Sequence, residues 1–213
     1  MNKIILITGG ARSGKSTFAE NLAKKINKIS SECKEIAYIA TGEAIDDNFK
    51  NRINIHKSRR DKIFNTVEEP LYINNMINNI NKQHNIFLVE CLATWLGNIF
   101  HKIDKDEHEK FAVSAIIDLI NSFSGKDKAS YSLDNYEFLI NNGDQKYINE
   151  IFNDLKTDDK VLIFVTNEVG FGIIPADSMT REYRDLLGKI NQLIARYADY
   201  VFLTISGIPM RIK

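Results

Sequence analysis

The sequence predicts an α/β fold, a mostly parallel β-sheet flanked by helices, on three observations. Lys3–Thr8 (KIILIT), Ile86–Glu90 (IFLVE) and Val161–Val165 (VLIFV) are continuous apolar runs, the pattern of strands buried on both faces of a parallel sheet. Ser16–Ile26 and Arg181–Arg196 instead space their apolar residues three and four apart, as helices packed on one face do. The two patterns alternate along the chain, which is the order of β-α-β units.

The elements follow in turn. Lys3–Thr8 reads as the first strand, ending in Gly9 and Gly10. Phe18, Ala19, Leu22, Ala23 and Ile26 form the apolar side of the first helix. Ile36–Ala40 (IAYIA) is a second strand, and Asp46–His56 a short polar helix with Phe49 and Ile53 four apart. Ile86–Glu90 is a strand ending in a carboxylate, and Leu92–Ile99 begins a helix. Val161–Val165 is a strand followed by Thr166–Glu168. Arg181–Arg196 is a long helix with Tyr183, Leu186, Leu187, Ile190 and Ile194 as its core face, and Tyr200–Ile205 is the last strand.

Residues 101–160 are rich in Asn, Asp and Lys and read as a helical and loop excursion from the sheet. Ala112–Phe123 and Tyr147–Leu155 are its helix candidates. No second-domain boundary is evident, so residues 1–213 are expected to form one nucleotide-binding domain.

Lys+Arg and Asp+Glu are both 28, a net charge of zero that offers nothing to a nucleic acid or an anionic membrane. No apolar stretch approaches the roughly 20 residues of a membrane span, and the expected location is the cytoplasm. Cys33 and Cys91 lie far apart, without metal-ligand spacing.

Gly9-Gly10-Ala11-Arg12-Ser13-Gly14-Lys15-Ser16 fits the pattern G-x-x-x-x-G-K-[ST] without a gap. Small residues let the loop wrap with its amide N–H groups inward as an anion nest. The following helix aims its positive end at the phosphates. Lys15 reaches the terminal phosphates and the Ser16 hydroxyl can ligate Mg2+. Glu90 ends an apolar strand, where sheet topology brings a carboxylate beside the loop and lets it hold the same ion. A triphosphate such as GTP or ATP is the implied substrate.

His56 precedes Lys57, Ser58, Arg59 and Arg60. Neighbouring cations favour the neutral imidazole, which is a nucleophile toward phosphorus. From residues alone a solvated surface histidine is the better reading, since one His near basic residues is a common pattern. Thr166-Asn167-Glu168-Val169-Gly170 stands at a strand's C-terminal end, where sites gather, and equally fits a capped glycine turn. Arg181 and Arg184 open a helix against its dipole, which favours a ligand or subunit contact over a solvated face.

Read together, several segments resemble the bifunctional adenosylcobinamide kinase/adenosylcobinamide-phosphate guanylyltransferase family. They are ITGGARSGKSTFAE (7–20), YIAT (38–41), RINIHK (52–57), LVECLATWLGN (88–98), VTNEVGFGIIP (165–175), REYRDLLGKINQLIARYAD (181–199) and SGIPMRIK (206–213). The resemblance implies a RecA-like P-loop domain, a homotrimer, and two reactions. One is phosphorylation of adenosylcobinamide by ATP or GTP. The other is GMP transfer from GTP through a guanylyl-histidine on His56. It implies nucleotide contacts at Gly9, Gly10, Ala11, Arg12, Ser13, Gly14, Lys15, Ser16, Thr41, Gly42, Glu43, Lys57, Ser58, Arg59, Arg60, Glu68 and Glu90. Arg60-Asp61 stands where the family commonly has Arg-Pro. Another small-molecule P-loop kinase and a nucleotide-binding module without turnover are the competing functions.

Overall fold

The computed structural model describes residues 2–29, 34–43, 61–124 and 159–213. The readings at Cys33, Asp46–His56, Lys57–Arg60 and Tyr147–Leu155 lie outside the described residues.

Seven strands form one sheet in the order β3-β2-β4-β5-β1-β6-β7. They are β1 (Lys3–Gly9), β2 (Ile36–Ala40), β3 (Phe64–Glu68), β4 (Ile86–Glu90), β5 (Val161–Val165), β6 (Tyr200–Ile205) and β7 (Ile208–Arg211). Every pairing is parallel except β6–β7, an antiparallel hairpin. The helices are α1 (Lys15–Ile29), α2 (Ile73–Ile80), α3 (Leu92–Lys102), α4 (His108–Ser124) and α5 (Ser178–Tyr197), with a 3-10 turn at Lys105–Glu107.

The apolar runs of the central strands are explained by cover on both faces. Alternate residues Ile5, Ile7, Leu88, Ile163, Val165 and Phe202 pack under α1, whose Ala19, Leu22, Ala23 and Ile26 meet them. Their neighbours Ile4, Leu6, Val89, Leu162 and Phe164 face the opposite layer of α3, α4 and α5. Trp95 anchors that layer: it is fully buried and its indole N–H donates to the Leu71 carbonyl at 2.8 Å. An aromatic body with its polar atom satisfied is a large favourable burial, worth about 2–3 kcal/mol.

Three elements escape the sequence reading, and each has a physical reason. β3 (FNTVE) is an edge strand with one fully buried residue, Phe64, so it carries no apolar run. α2 (INNMINNI) is half asparagine, a weak helix former, and is held by burial of Ile73 and Ile77. β7 turns back antiparallel, so Tyr200–Ile205 is not the last strand as expected. Within the excursion, α4 buries Ala112, Ile116, Leu119, Ile120 and Phe123 in the core.

Two histidines, His84 and His108, have structural partners. His84 donates from Nδ1 to the Glu35 carbonyl at 2.7 Å, leaving Nε2 to accept from Asn65 at 3.4 Å. His108 stacks on Phe100 with centroids 4.2 Å apart and meets the Ile103 carbonyl through Nε2 at 3.0 Å.

Candidate active site

The sheet order places β5 between β1 and β4, so the phosphate loop at the end of β1 and the carboxylate at the end of β4 flank one strand. In the register, Ile7 and Glu90 both pair with Val165. All three side chains lie on the α1 side, because alternate residues of each strand share the α1 core cluster. The first turn of α1 therefore meets Glu90 directly. Ser16 Oγ donates to Glu90 Oε1 at 2.6 Å. These two oxygens are hard donors side by side, the kind of set that suits Mg2+.

The loop is shaped by its own backbone. Arg12 sits in the left-handed region at φ 57 and Gly14 at φ 92, the alternation that turns successive N–H groups to one side. Gly9 has no room for a side chain: a β-carbon there would lie 2.5 Å from the Thr204 carbonyl and 2.6 Å from Ser13 Oγ. Lys15 is buried and its Nζ donates to the Gly10 carbonyl at 3.2 Å, folded across the loop. Ser13 N–H donates to the same carbonyl, also at 3.2 Å.

Thr41 and Asn98 brace the far wall. Thr41 Oγ1 accepts from the Cys91 N–H at 2.9 Å and lies 2.9 Å from the Cys91 carbonyl, to which it can donate. Buried Asn98 donates to the Thr41 carbonyl at 2.7 Å and to the Pro70 carbonyl at 3.0 Å. The Thr41 hydroxyl is thus engaged in holding the chain after Glu90. Glu43 pairs with Lys102. Burial first, and Glu90 second, push the Cys91 thiol up, keeping it protonated at neutral pH.

The floor on the other side is set by Asn191 of α5. Its amide oxygen accepts from Thr166 Oγ1 at 2.8 Å, and its NH2 donates to the Asn167 carbonyl at 3.1 Å. Glu168 N–H then donates to the Gly9 carbonyl at 3.1 Å. The Thr166–Glu168 segment thereby lies against the start of the phosphate loop.

The structure brings Gly9–Ser16, Glu90 and Thr41 together. Glu68 ends β3, and four inter-strand steps separate β3 from β1, roughly 19 Å. Glu68 and the loop can share a ligand only if it spans that row. His56, Lys57, Ser58, Arg59 and Arg60 lie outside the described residues. Arg181 and Arg184, expected to favour a ligand or subunit contact, have partners in their own chain. Arg181 donates to the Pro175 and Ala176 carbonyls at 2.9 and 2.6 Å, and Arg184 meets Asp185 at 2.7 Å.

Sequence reading missed the β6–β7 turn. Gly207 N–H donates to the Ser13 carbonyl at 2.8 Å, putting the hairpin tip against the phosphate loop. Ser206-Gly207 between two strand-like runs is a turn signal that marks such a hairpin.

Among the described residues, no helix is long and apolar enough to cross a membrane.

Comparison with known proteins gives the site its context. The family described as cobinamide kinase / cobinamide phosphate guanyltransferase (CobU) matches residues 5–212. The chain is 30% identical over 210 residues to the bifunctional adenosylcobalamin biosynthesis protein CobU of Escherichia coli, covering 99% of both chains. It is 31% identical to the protein of that name from Salmonella typhimurium, again over 99% of both. It is 29% identical to the bifunctional adenosylcobalamin biosynthesis protein CobP of Pseudomonas aeruginosa, over 98% of this chain and 96% of that one. With its phosphate loop, its strand-end carboxylate and a match running from β1 to the residue before its last, the chain belongs to the cobinamide kinase/cobinamide phosphate guanylyltransferase family.

Proposed function

We propose that this protein phosphorylates adenosylcobinamide and then transfers GMP from GTP to the product, giving adenosyl-GDP-cobinamide and pyrophosphate. The observation that carries the reading is the Ser16–Glu90 contact at 2.6 Å beneath a complete phosphate loop, in a chain matched to the family over residues 5–212.

In the kinase step the aminopropanol hydroxyl oxygen of cobinamide attacks Pγ of ATP or GTP. The new O–Pγ bond forms as the bond from Pγ to the β,γ-bridging oxygen breaks. The nucleoside diphosphate leaves and the hydroxyl proton passes to solvent. Lys15 and the inward N–H groups of the loop counter the charge that shifts onto the bridging oxygen. Ser16 and Glu90 would hold Mg2+, which when bound supplies charge neutralisation between the terminal phosphates.

In the transferase step an imidazole nitrogen of His56 attacks Pα of GTP and pyrophosphate leaves. A phosphate oxygen of cobinamide phosphate then attacks the same phosphorus and displaces His56. Lys57, Arg59 and Arg60, next to His56 in sequence, supply positive charge for the GMP phosphate, and Ser58 a hydroxyl donor. Gly42, Glu43 and Glu68 contact the nucleotide away from the loop, and buried Thr41 positions the backbone after Glu90. The protein works in the cytoplasm as a homo-oligomer, a homotrimer by resemblance.

Labelling tests the histidine step. GTP labelled at the α-phosphate should leave acid-labile, alkali-stable label on the denatured protein, and His56→Ala should abolish it. Label that persists in the variant contradicts the assignment.

A further inference from the structure

The C-terminal hairpin touches the phosphate loop at three points. Gly207 N–H donates to the Ser13 carbonyl at 2.8 Å. A β-carbon on Gly14 would lie 3.0 Å from Gly207 Cα, and one on Gly9 would lie 2.5 Å from the Thr204 carbonyl. Gly9 and Thr204 are also paired in the β1–β6 register. Ser206 at φ 51 and Gly207 at φ 83 are both left-handed, the geometry of a tight two-residue hairpin turn. That turn aims the Gly207 N–H at the loop.

A trans peptide unit is planar, with its C=O and N–H pointing opposite ways. Fixing the Ser13 carbonyl toward the hairpin therefore turns the Gly14 N–H to the other side, away from the hairpin. The first peptide of the loop is set in the same manner, since Glu168 N–H holds the Gly9 carbonyl at 3.1 Å and leaves the Gly10 N–H reversed. Two donors from outside the loop thus fix the orientation of two of its peptides.

We infer that Gly207 is a positioning residue for phosphate binding: its N–H sets the Ser13–Gly14 peptide so that the Gly14 N–H faces the anion. The inference rests on the phosphate-loop reading and names a regulator of that loop that lies nearly 200 residues away in sequence. A side chain at position 207 meets nothing near its β-carbon, with no atom within 4 Å. The effect of a substitution there comes from the backbone conformation it prefers.

That gives a graded test. Asn tolerates the left-handed region, Ala tolerates it less and Val strongly resists it. Calorimetry with inorganic tripolyphosphate, on the full chain with Mg2+, reads the cradle without the base. Gly207→Asn should bind within about twofold of the parent, and Gly207→Val should bind on the order of tenfold more weakly. Gly207→Ala should fall between them and serves if the Val variant does not fold. Melting temperatures separate loop orientation from loss of folded protein. Val and Ala variants that bind like the parent, or that weaken only in proportion to their unfolded fraction, overturn the role of Gly207. A parent protein that binds no tripolyphosphate and no ATP removes the phosphate-loop reading itself, and the role of Gly207 with it.

Discussion

Ser16 Oγ lies 2.6 Å from Glu90 Oε1, joining the first turn of α1 to the end of β4 across 74 residues of sequence. The contact follows from topology. β5 separates the two strands by one step each way, and residue parity puts Glu90 on the side where α1 begins. A hydroxyl and a carboxylate in this relation are two hard oxygen donors side by side at the mouth of the phosphate loop, the set that the proposed function assigns to Mg2+.

Glu90→Gln tests that pair. The amide keeps the size and an oxygen able to accept from Ser16, so the fold should persist with little change in melting temperature. Losing the charge should lower nucleotide-dependent turnover on the order of 100-fold and raise the Mg2+ concentration needed for half-maximal rate. Turnover within threefold of the parent, at unchanged Mg2+ demand, would remove Glu90 from the ion's coordination.

Asn98→Ala probes the scaffold. Its amide holds the carbonyls of Thr41 and Pro70 at 2.7 and 3.0 Å in the buried wall. Removing both bonds leaves buried acceptors unpaired, a loss of about 1–3 kcal/mol, seen as a melting temperature lower by several degrees. Thr41 is the next link, and its hydroxyl fixes the backbone after Glu90. Turnover should therefore drop more than stability alone explains. A variant as stable as the parent would show that water replaces the amide.

Tyr183→Phe tests alkaline stability. The Tyr183 hydroxyl donates to the Ala93 carbonyl at 2.7 Å. Burial first, and Cys91 second, push its pKa well above that of a free phenol. The folded state then holds the proton more tightly than the unfolded chain. The stability this adds is fully present below the unfolded value, about pH 10, and is lost as pH rises from there through the folded value. Denaturant titrations from pH 8 to 11 should show this loss in the parent. Tyr183→Phe should cost about 1 kcal/mol at neutral pH and show a flatter alkaline limb. Identical limbs would mean the phenol is not the group responsible.

Much of the fold was legible because central parallel strands must be apolar on both faces. KIILIT, IFLVE and VLIFV announce themselves, and the alternation with helices follows. Edge and return strands carry no such mark: FNTVE buries only Phe64, and Ile208–Arg211 holds a proline among exposed apolar residues. The loop Gly9–Ser16 could be proposed from sequence because phosphate chemistry restricts residue type at fixed spacing, and Glu90 because it ends an apolar strand; the fold brings the two together. Gly207 and Asn191 were not. They act through a backbone N–H and through a bridge to a backbone carbonyl, and neither contact depends on a local motif. Thr41 was singled out by the family resemblance alone, and its hydroxyl contacts to Cys91 appear only once β2 and β4 are paired. Arg181 and Arg184 have partners in their own chain that spacing did not indicate. A cation against a helix dipole finds compensation in loop carbonyls and a neighbouring aspartate, which spacing does not reveal.

The most direct measurement is a single incubation of the full chain with adenosylcobinamide, ATP, GTP and Mg2+, with corrinoid products resolved by mass. The account predicts adenosylcobinamide phosphate first and adenosyl-GDP-cobinamide after it, with Lys15→Ala impairing both. Nucleotide binding without either corrinoid product would contradict it.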